Sequence, residues 1–314
     1  MTEDIRIESL SVFFETASGP VPAVRDLSTT FRAGRISGVI GESGSGKSVM
    51  GMSILRLLPN TANVTGNCFL GQKELYSLPL RELRKLRGSA IGLIPQNPNA
   101  SLDPVMKLKR QFTEAIAVHD GQKSCRQAGA DAEKLLEQFG FPNAQEILDR
   151  YTFQMSGGMN QRLVSALGLI NRPGWVIADE PTKGLDAPIR NQVYRELRRI
   201  YTENHTSMIL ITHDLLLARR LCDDIRVLYM GQIVEQGSAQ SVMEHPKHPY
   251  TAGLVASLPS RGMHPISPSK PERLEHHGCP FYPRCVKAIA RCAVEVPGDI
   301  ALPDGGKVRC LLYE

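Results

Sequence analysis

The chain has 314 residues, 42% apolar and 22% charged, enough for one large or two medium domains and wrong for a disordered, collagenous or coiled-coil protein. No apolar run approaches the roughly 18 residues of a membrane span, and the acidic opening MTEDIRIE lacks the basic and apolar regions of a secretory signal, so a cytoplasmic location is expected. Lys and Arg outnumber Asp and Glu by only 37 to 32, too mild a surplus to point to nucleic acid but compatible with polyphosphates or an anionic membrane surface.

In chain order, the apolar runs Ile36–Ile40, Ile91–Pro95, Trp175–Ala178, Met208–Ile211 and Ile225–Tyr229 predict buried strands that alternate with helical stretches. That alternation implies an α/β fold with a mainly parallel sheet. The first run leads into Gly41-Glu42-Ser43-Gly44-Ser45-Gly46-Lys47-Ser48 and then a helix to about Leu57. The pattern G-x-x-x-x-G-K-[ST] is a phosphate-binding loop: its glycines let backbone amides curl inward and the helix N-terminus adds partial positive charge. Lys47 can reach β- and γ-phosphates, and the Ser48 hydroxyl can ligate Mg2+. A plain Gly/Ser-rich turn is the alternative. The candidate nucleotide contacts are Gly41, Ser43, Gly44, Ser45, Gly46, Lys47, Ser48 and Val49. Residues from about 105 to 150 carry helical patterning and predict an insertion into the α/β domain. The run from Trp175 ends in Asp179-Glu180: Asp179 would hold Mg2+ through water, and Glu180 would polarise an attacking water.

Between and after these lie Gln96, Ser156-Gly157-Gly158-Met159-Asn160-Gln161-Arg162 and His213. With this motif order, residues 5–245 resemble the ATP-binding cassette (ABC) ATPases. The resemblance implies that Ser156, Gly157 and Gly158 cap ATP held by a partner subunit, a task for which a Ser-Gly-Gly helix start offers a hydroxyl, amides and a dipole. It makes Gln96 the glutamine that senses Mg2+ and the attacking water, and His213 the histidine that contacts the γ-phosphate. Asp186 falls in Gly184-Leu185-Asp186, like the family's segment at the dimer interface. Phe14 is the aromatic expected to stack on adenine, with Phe13 its competitor and a core strand position the alternative for both. The chain departs from the family pattern at Met155 and Met159 around the signature and at Lys183-Gly184. Lys47, Gln96, Asp179, Glu180 and His213 are all present, so an active ATPase is expected.

Residues 259–314 hold eight of the 21 prolines, and four of the seven cysteines lie from Cys279 onward, which reads as a loop-rich appendage. Cys279, Cys285, Cys292 and Cys310 cluster as thiols do at metal or redox sites in a reducing compartment. The segments from His248-Pro249-Tyr250 and from Gly278-Cys279-Pro280 resemble those following the ATPase core in dipeptide/oligopeptide/nickel importers. That resemblance implies a [4Fe-4S] cluster on the four cysteines. Zinc is the second choice, with His276 and His277 as reserve ligands, and unligated thiols are the alternative.

The expected organisation is an ABC ATPase domain over 1–245, with a helical subdomain over about 97–160, and a C-terminal extension over 246–314. The function the resemblance implies is ATP hydrolysis energising import of short peptides or nickel. The partners would be a second ABC ATPase subunit in a heterodimer, two membrane permease subunits and an extracytoplasmic substrate-binding protein, with no nucleic acid. The chain would sit peripherally on the cytoplasmic face of the inner membrane. A soluble ABC-type ATPase, or a metal- or redox-sensing ATP switch, is the alternative.

Overall fold

The computed structural model describes all residues except Met1, Gly121, Pro259, Ser260 and residues 263–276. Its elements in chain order are β1 (Ile5–Thr16), β2 (Gly19–Phe31), β3 (Ile36–Ile40), α1 (Lys47–Ile54), β4 (Ala62–Leu70), β5 (Lys73–Glu74), α2 (Leu80–Leu86), β6 (Ile91–Ile94), α3 (Leu108–Ala117), α4 (Cys125–Gln138), α5 (Ala144–Leu148), α6 (Gly157–Leu169), β7 (Trp175–Asp179), α7 (Ala187–Asn204), β8 (Ser207–Thr212), α8 (Leu215–Leu221), β9 (Asp224–Tyr229), β10 (Gln232–Ser238), α9 (Ala239–Glu244), α10 (Pro249–Ala256), β11 (Ile300–Ala301) and β12 (Lys307–Val308). The five apolar runs become β3, β6, β7, β8 and β9. The helix after the phosphate loop stops at Ile54, short of Leu57. No helix among the described residues is long and apolar enough to cross a membrane.

The chain divides into two compact units. The first comprises residues 1–5, 31–36 and 69–211. Within it β6, β7 and β8 run parallel, with Ile91 opposite Trp175 and Trp175 opposite Ser207. Strands covered on both faces read as continuous apolar runs, which is why they were legible. Trp175 is fully buried, and its indole N–H donates to the Glu3 carbonyl at 2.8 Å. The expected helical insertion appears as α3, α4 and α5. In α3 the residues Leu108, Phe112 and Ile116 bury one stripe. Helix α4 opens on a capping box between Ser124 and Gln127. The Arg162 guanidinium ties the end of this insertion to α6: it donates to the carbonyls of Phe139 and Gly140 at 3.1 and 3.2 Å and lies 4.5 Å from the Phe141 ring centre.

The second unit comprises residues 6–30, 37–68 and 212–314. Strands β3 and β9 pair in parallel, and β10, β12 and β11 follow in antiparallel order. Strands β2, β1 and β4 are successive neighbours in a second sheet, a layer that the apolar runs did not predict. Arg226 on β9 holds that layer: it pairs with Asp224 and donates to the Thr29 hydroxyl at 3.0 Å and the Thr30 carbonyl at 2.5 Å. The C-terminal segment contains no α-helix after Ala256 among the described residues, in keeping with a loop-rich extension. It is stitched on by β12, which pairs Val308 with Glu235, and by the Arg309 N–H, which donates to the Val234 carbonyl at 2.9 Å.

Candidate functional site

The second unit contains the phosphate loop, between the end of β3 and the start of α1. Gly44 and Gly46 take φ values of 80° and 99°, in the left-handed region open to glycine. At Gly46 a Cβ would stand 2.3 Å from the Ala23 carbonyl oxygen, so both conformation and space demand glycine. Helix α1 has no side-chain cap, which leaves its first-turn amides available to an anion. Lys47 is buried, and its ammonium donates to the carbonyls of Gly41 and Glu42 at 2.9 and 2.7 Å and to the Ser45 hydroxyl at 3.3 Å. Ser48 and Val49 follow on α1, half-buried. The Gly231 N–H, in the turn between β9 and β10, donates to the Ser45 carbonyl at 3.0 Å and pins the loop from behind.

Glu42 is a junction that motif reading passes over. Its N–H donates to the hydroxyl of Tyr250 on α10 at 2.9 Å, and its carboxylate receives both arms of Arg284 from the C-terminal tail at 2.8 and 2.9 Å. The Arg284 side chain is only 6% exposed. It lies over the rings of Tyr229 and Phe281, at 5.6 and 5.8 Å. The Glu42 carboxylate raises the Arg284 pKa still further, and burial raises those of Tyr229 and Tyr250. Tyr229, Tyr250 and Phe281 contact one another at ring-centre distances of 4.6 to 5.5 Å. The available signal was chemical: a carboxylate inside a loop built for anions calls for a nearby cation.

The first unit holds Gln96, the Ser-Gly-Gly turn, the acidic pair and Asp186. Asp179 and Glu180 are buried at the end of β7. Glu180 takes a φ of 49°, rare for a residue with a Cβ, and is held there by its N–H donating to the Ile211 carbonyl at 2.8 Å. Such strain, roughly 1–2 kcal/mol, persists where a side chain's direction matters. Ser156 caps α6, its hydroxyl accepting from the Met159 N–H at 3.3 Å. Gly157 is exposed, and Gly158 packs towards Leu185, next to Asp186. Asp186 caps α7 by accepting from the Ile189 N–H at 3.0 Å. Gln96 is exposed just beyond β6. The buried Asn160, which the motif reading gave no role, joins that segment to α6: its amide donates to the Asn99 side chain at 3.1 Å and the Thr152 carbonyl at 3.2 Å.

His213 in the second unit is exposed directly after β8, ahead of the Asp214 cap of α8. Phe14 and Phe13 are half-buried on β1. In the tail Cys279, Cys292 and Cys310 are buried and Cys285 is half-buried, all as free thiols. The Cys279 N–H donates to the Cys292 carbonyl at 2.9 Å. Burial raises the pKa of Cys279, Cys285 and Cys310, and the neighbouring cysteines push the same way. The four thiols are thus neighbours. Yet among the described residues no group of three or more His, Cys, Asp or Glu side chains is arranged to hold a metal ion, so the expected ligand set does not converge on one point. His276, one of the reserve ligands, lies outside the described residues.

Residues 24–183 match the family described as ABC transporter, and residues 234–292 match the oligopeptide/dipeptide transporter C-terminal region. The chain is 38% identical to the oligopeptide transport ATP-binding protein OppD of Haemophilus influenzae, over 92% of this chain and 91% of that one. It is 37% identical to the dipeptide transport ATP-binding protein DppD of Escherichia coli, over 98% of this chain and 95% of that one. It is 34% identical to the oligopeptide transport ATP-binding protein AppD of Bacillus subtilis, over 100% and 98%. Among solved structures it is similar in fold to the ATP-binding cassette MJ0796 bound to ADP and Pi, with a TM-score of 0.68 and 23% identity, covering 75% of this chain and 98% of that one.

Proposed function

The chain belongs to the ATP-binding subunits of ABC transporters, in the oligopeptide/dipeptide importer family, and on that premise we propose that its ATPase activity energises uptake of short peptides. The observation that supports this most is the complete set of phosphate-handling residues in a chain aligned over nine-tenths of its length with peptide-importer ATPases. The relatives' names favour peptide cargo over nickel.

Each residue has a task that follows from its chemistry. The loop amides and Lys47 bind and orient the β- and γ-phosphates. Phe14 stacks on adenine. Ser48, Gln96 and Asp179 are the oxygen donors that would hold Mg2+, which when bound neutralises charge on the phosphates. Their oxygen-rich set, a hydroxyl, an amide and a carboxylate, fits a hard cation. Glu180 orients the attacking water and His213 contacts the γ-phosphate. Ser156, Gly157 and Gly158 present a capped helix start to the ATP of a second ATPase subunit, and Asp186 belongs to the same interface. We take that second subunit to be a related chain, giving a heterodimer. It docks on two permease subunits at the cytoplasmic face of the membrane, and a substrate-binding protein delivers the peptide. Cys279, Cys285, Cys292 and Cys310 are the donors for a [4Fe-4S] cluster, which when bound supplies a cross-link to a tail with little core of its own. What supports this is the chemistry of the donors, four free thiols in one tail segment, and not their arrangement, which among the described residues forms no metal-holding group.

The decisive experiment reconstitutes the chain with its permeases and binding protein in vesicles. Peptide should stimulate ATP hydrolysis, and Glu180→Gln should bind ATP while hydrolysis falls at least about 100-fold. Equal hydrolysis with and without permeases and peptide would favour a soluble ATPase or a switch.

A further inference from the structure

We propose that Arg284 of the C-terminal tail is a positioning residue for the phosphate loop, acting through Glu42 to set the affinity for ATP. All three polar groups of Glu42 are engaged: its N–H with Tyr250, its carbonyl with Lys47 and its carboxylate with both arms of Arg284. The residue that fixes one side of Lys47 is therefore itself fixed by the tail. The fork is bidentate, which sets geometry as well as charge. Its second effect is electrostatic. Glu42 brings a negative charge into a loop that must receive a polyanion, and Arg284 neutralises it at hydrogen-bond distance. The aromatic wall of Tyr229 and Phe281 holds the guanidinium in place and shields its side of the pair, the Arg284 side chain being 6% exposed. Arg284 adjoins Cys285 in the segment opened by Cys279, so the same short stretch that carries two of the four thiols also carries the cation. The tail is then part of the nucleotide site and more than an external attachment.

The proposal rests on the loop's binding ATP, and it differs from a purely structural role in one consequence. Without Arg284 the exposed Glu42 carboxylate repels the phosphates, and removing that carboxylate should restore binding. The test titrates a fluorescent ATP analogue into the full-length chain, wild type, Arg284→Met, Arg284→Lys and the double variant Arg284→Met/Glu42→Gln, each checked for native fold by circular dichroism. Arg284→Met should weaken binding about tenfold, and Arg284→Lys, which keeps charge but loses the fork, about threefold. The double variant should recover most of the Arg284→Met loss. In steady-state assays the Arg284→Met effect should fall mainly on KM, with kcat within about twofold. Wild-type affinity in a folded Arg284→Met, or a double variant no tighter than Arg284→Met, would overturn the proposal. Should Arg284→Met fail to fold, the Arg284→Lys comparison with Arg284→Lys/Glu42→Gln reads the same rescue. A wild-type chain that bound no nucleotide would instead defeat the ATPase reading on which this one stands.

Discussion

Gly46 and Glu180 both sit in left-handed backbone, and they got there for opposite reasons. Gly46 is glycine because nothing else fits: φ is 99° and a Cβ would meet the Ala23 carbonyl oxygen at 2.3 Å. Gly44 shares the conformation, at φ 80°, but a Cβ there would meet nothing within 4 Å. The two should therefore respond differently to alanine. Gly44→Ala should cost about 1–2 kcal/mol, the conformational term alone. Gly46→Ala must also move backbone, and should cost about 3 kcal/mol and weaken nucleotide binding at least about tenfold. Urea unfolding and nucleotide titration of both variants would check this, and equal stability losses would refute the steric argument. Glu180 has a side chain and bears the strain, so its position is better explained by what its carboxylate must reach. Motif spacing made both residues legible, because chemistry dictated them. It could not expose Glu42, Tyr250 or Arg284 as a set, since more than 200 residues of chain separate the first from the other two.

At the scale of elements, the parallel strands were legible and β1 and β2 were not, and the burial pattern gives the reason. Along β1 the buried residues are Ile5 and Ile7, then Leu10 and Val12. Along β2 they are Val24, then Leu27, Thr29 and Phe31. The period of two slips once in each strand, at Ser9 and Asp26, which take φ values of 47° and 42°. A single left-handed residue flips the face that follows, so the alternation that identifies an amphipathic strand is broken mid-element. Helix α10 shows the same dependence on one residue. His248 is its cap, with Nδ1 accepting from the Tyr250 N–H at 3.1 Å. The imidazole is 2% exposed, and burial pulls its pKa from 6.5 down to about 4. The unfolded chain thus takes the proton first, so the stability His248 contributes is present above pH 6.5 and drains away as pH falls towards 4. Protonation also turns Nδ1 into a donor and abolishes the cap. Neighbouring Glu235, whose pKa burial raises, works with the opposite sign, so the His248 contribution must be read by difference. Between pH 7 and 4.5, wild type should lose about 2 kcal/mol more than His248→Asn, whose side chain caps without titrating. Equal losses in denaturant unfolding would remove His248 as the acid-labile point. Because Tyr250 rides on this helix and binds Glu42, nucleotide affinity should fall over the same pH range.

At the scale of the whole molecule, the tail raises the question of what holds residues 277–314, which contain only two short strands and no α-helix. Backbone ordering costs on the order of 1–2 kcal/mol per residue, and a segment this poor in regular structure has few ways to offset it. Besides the Arg284–Glu42 fork and the Arg309 hydrogen bond to Val234, two are visible: the β12 pairing with β10 and the apolar contacts around Phe281. The proposed cluster would be another, and it would act by binding the folded tail and not the unfolded one, gathering four thiols spread over 32 residues from Cys279 to Cys310. The sequence made the cysteines conspicuous but could not place them, because thiol spacing in a proline-rich loop says nothing about direction. The chain purified without oxygen should therefore carry about four irons and four sulfides with broad visible absorption. Cys292→Ser should lose the colour and lower Tm by about 5 °C. It should also weaken ATP binding, since a loosened tail no longer presents Arg284 to Glu42. Stoichiometric zinc without colour would make the tail a zinc knot and leave that coupling in force. A metal-free chain with an unchanged Tm in Cys292→Ser would mean that strand pairing and the aromatic cluster suffice, and the four thiols would then have no role in stability.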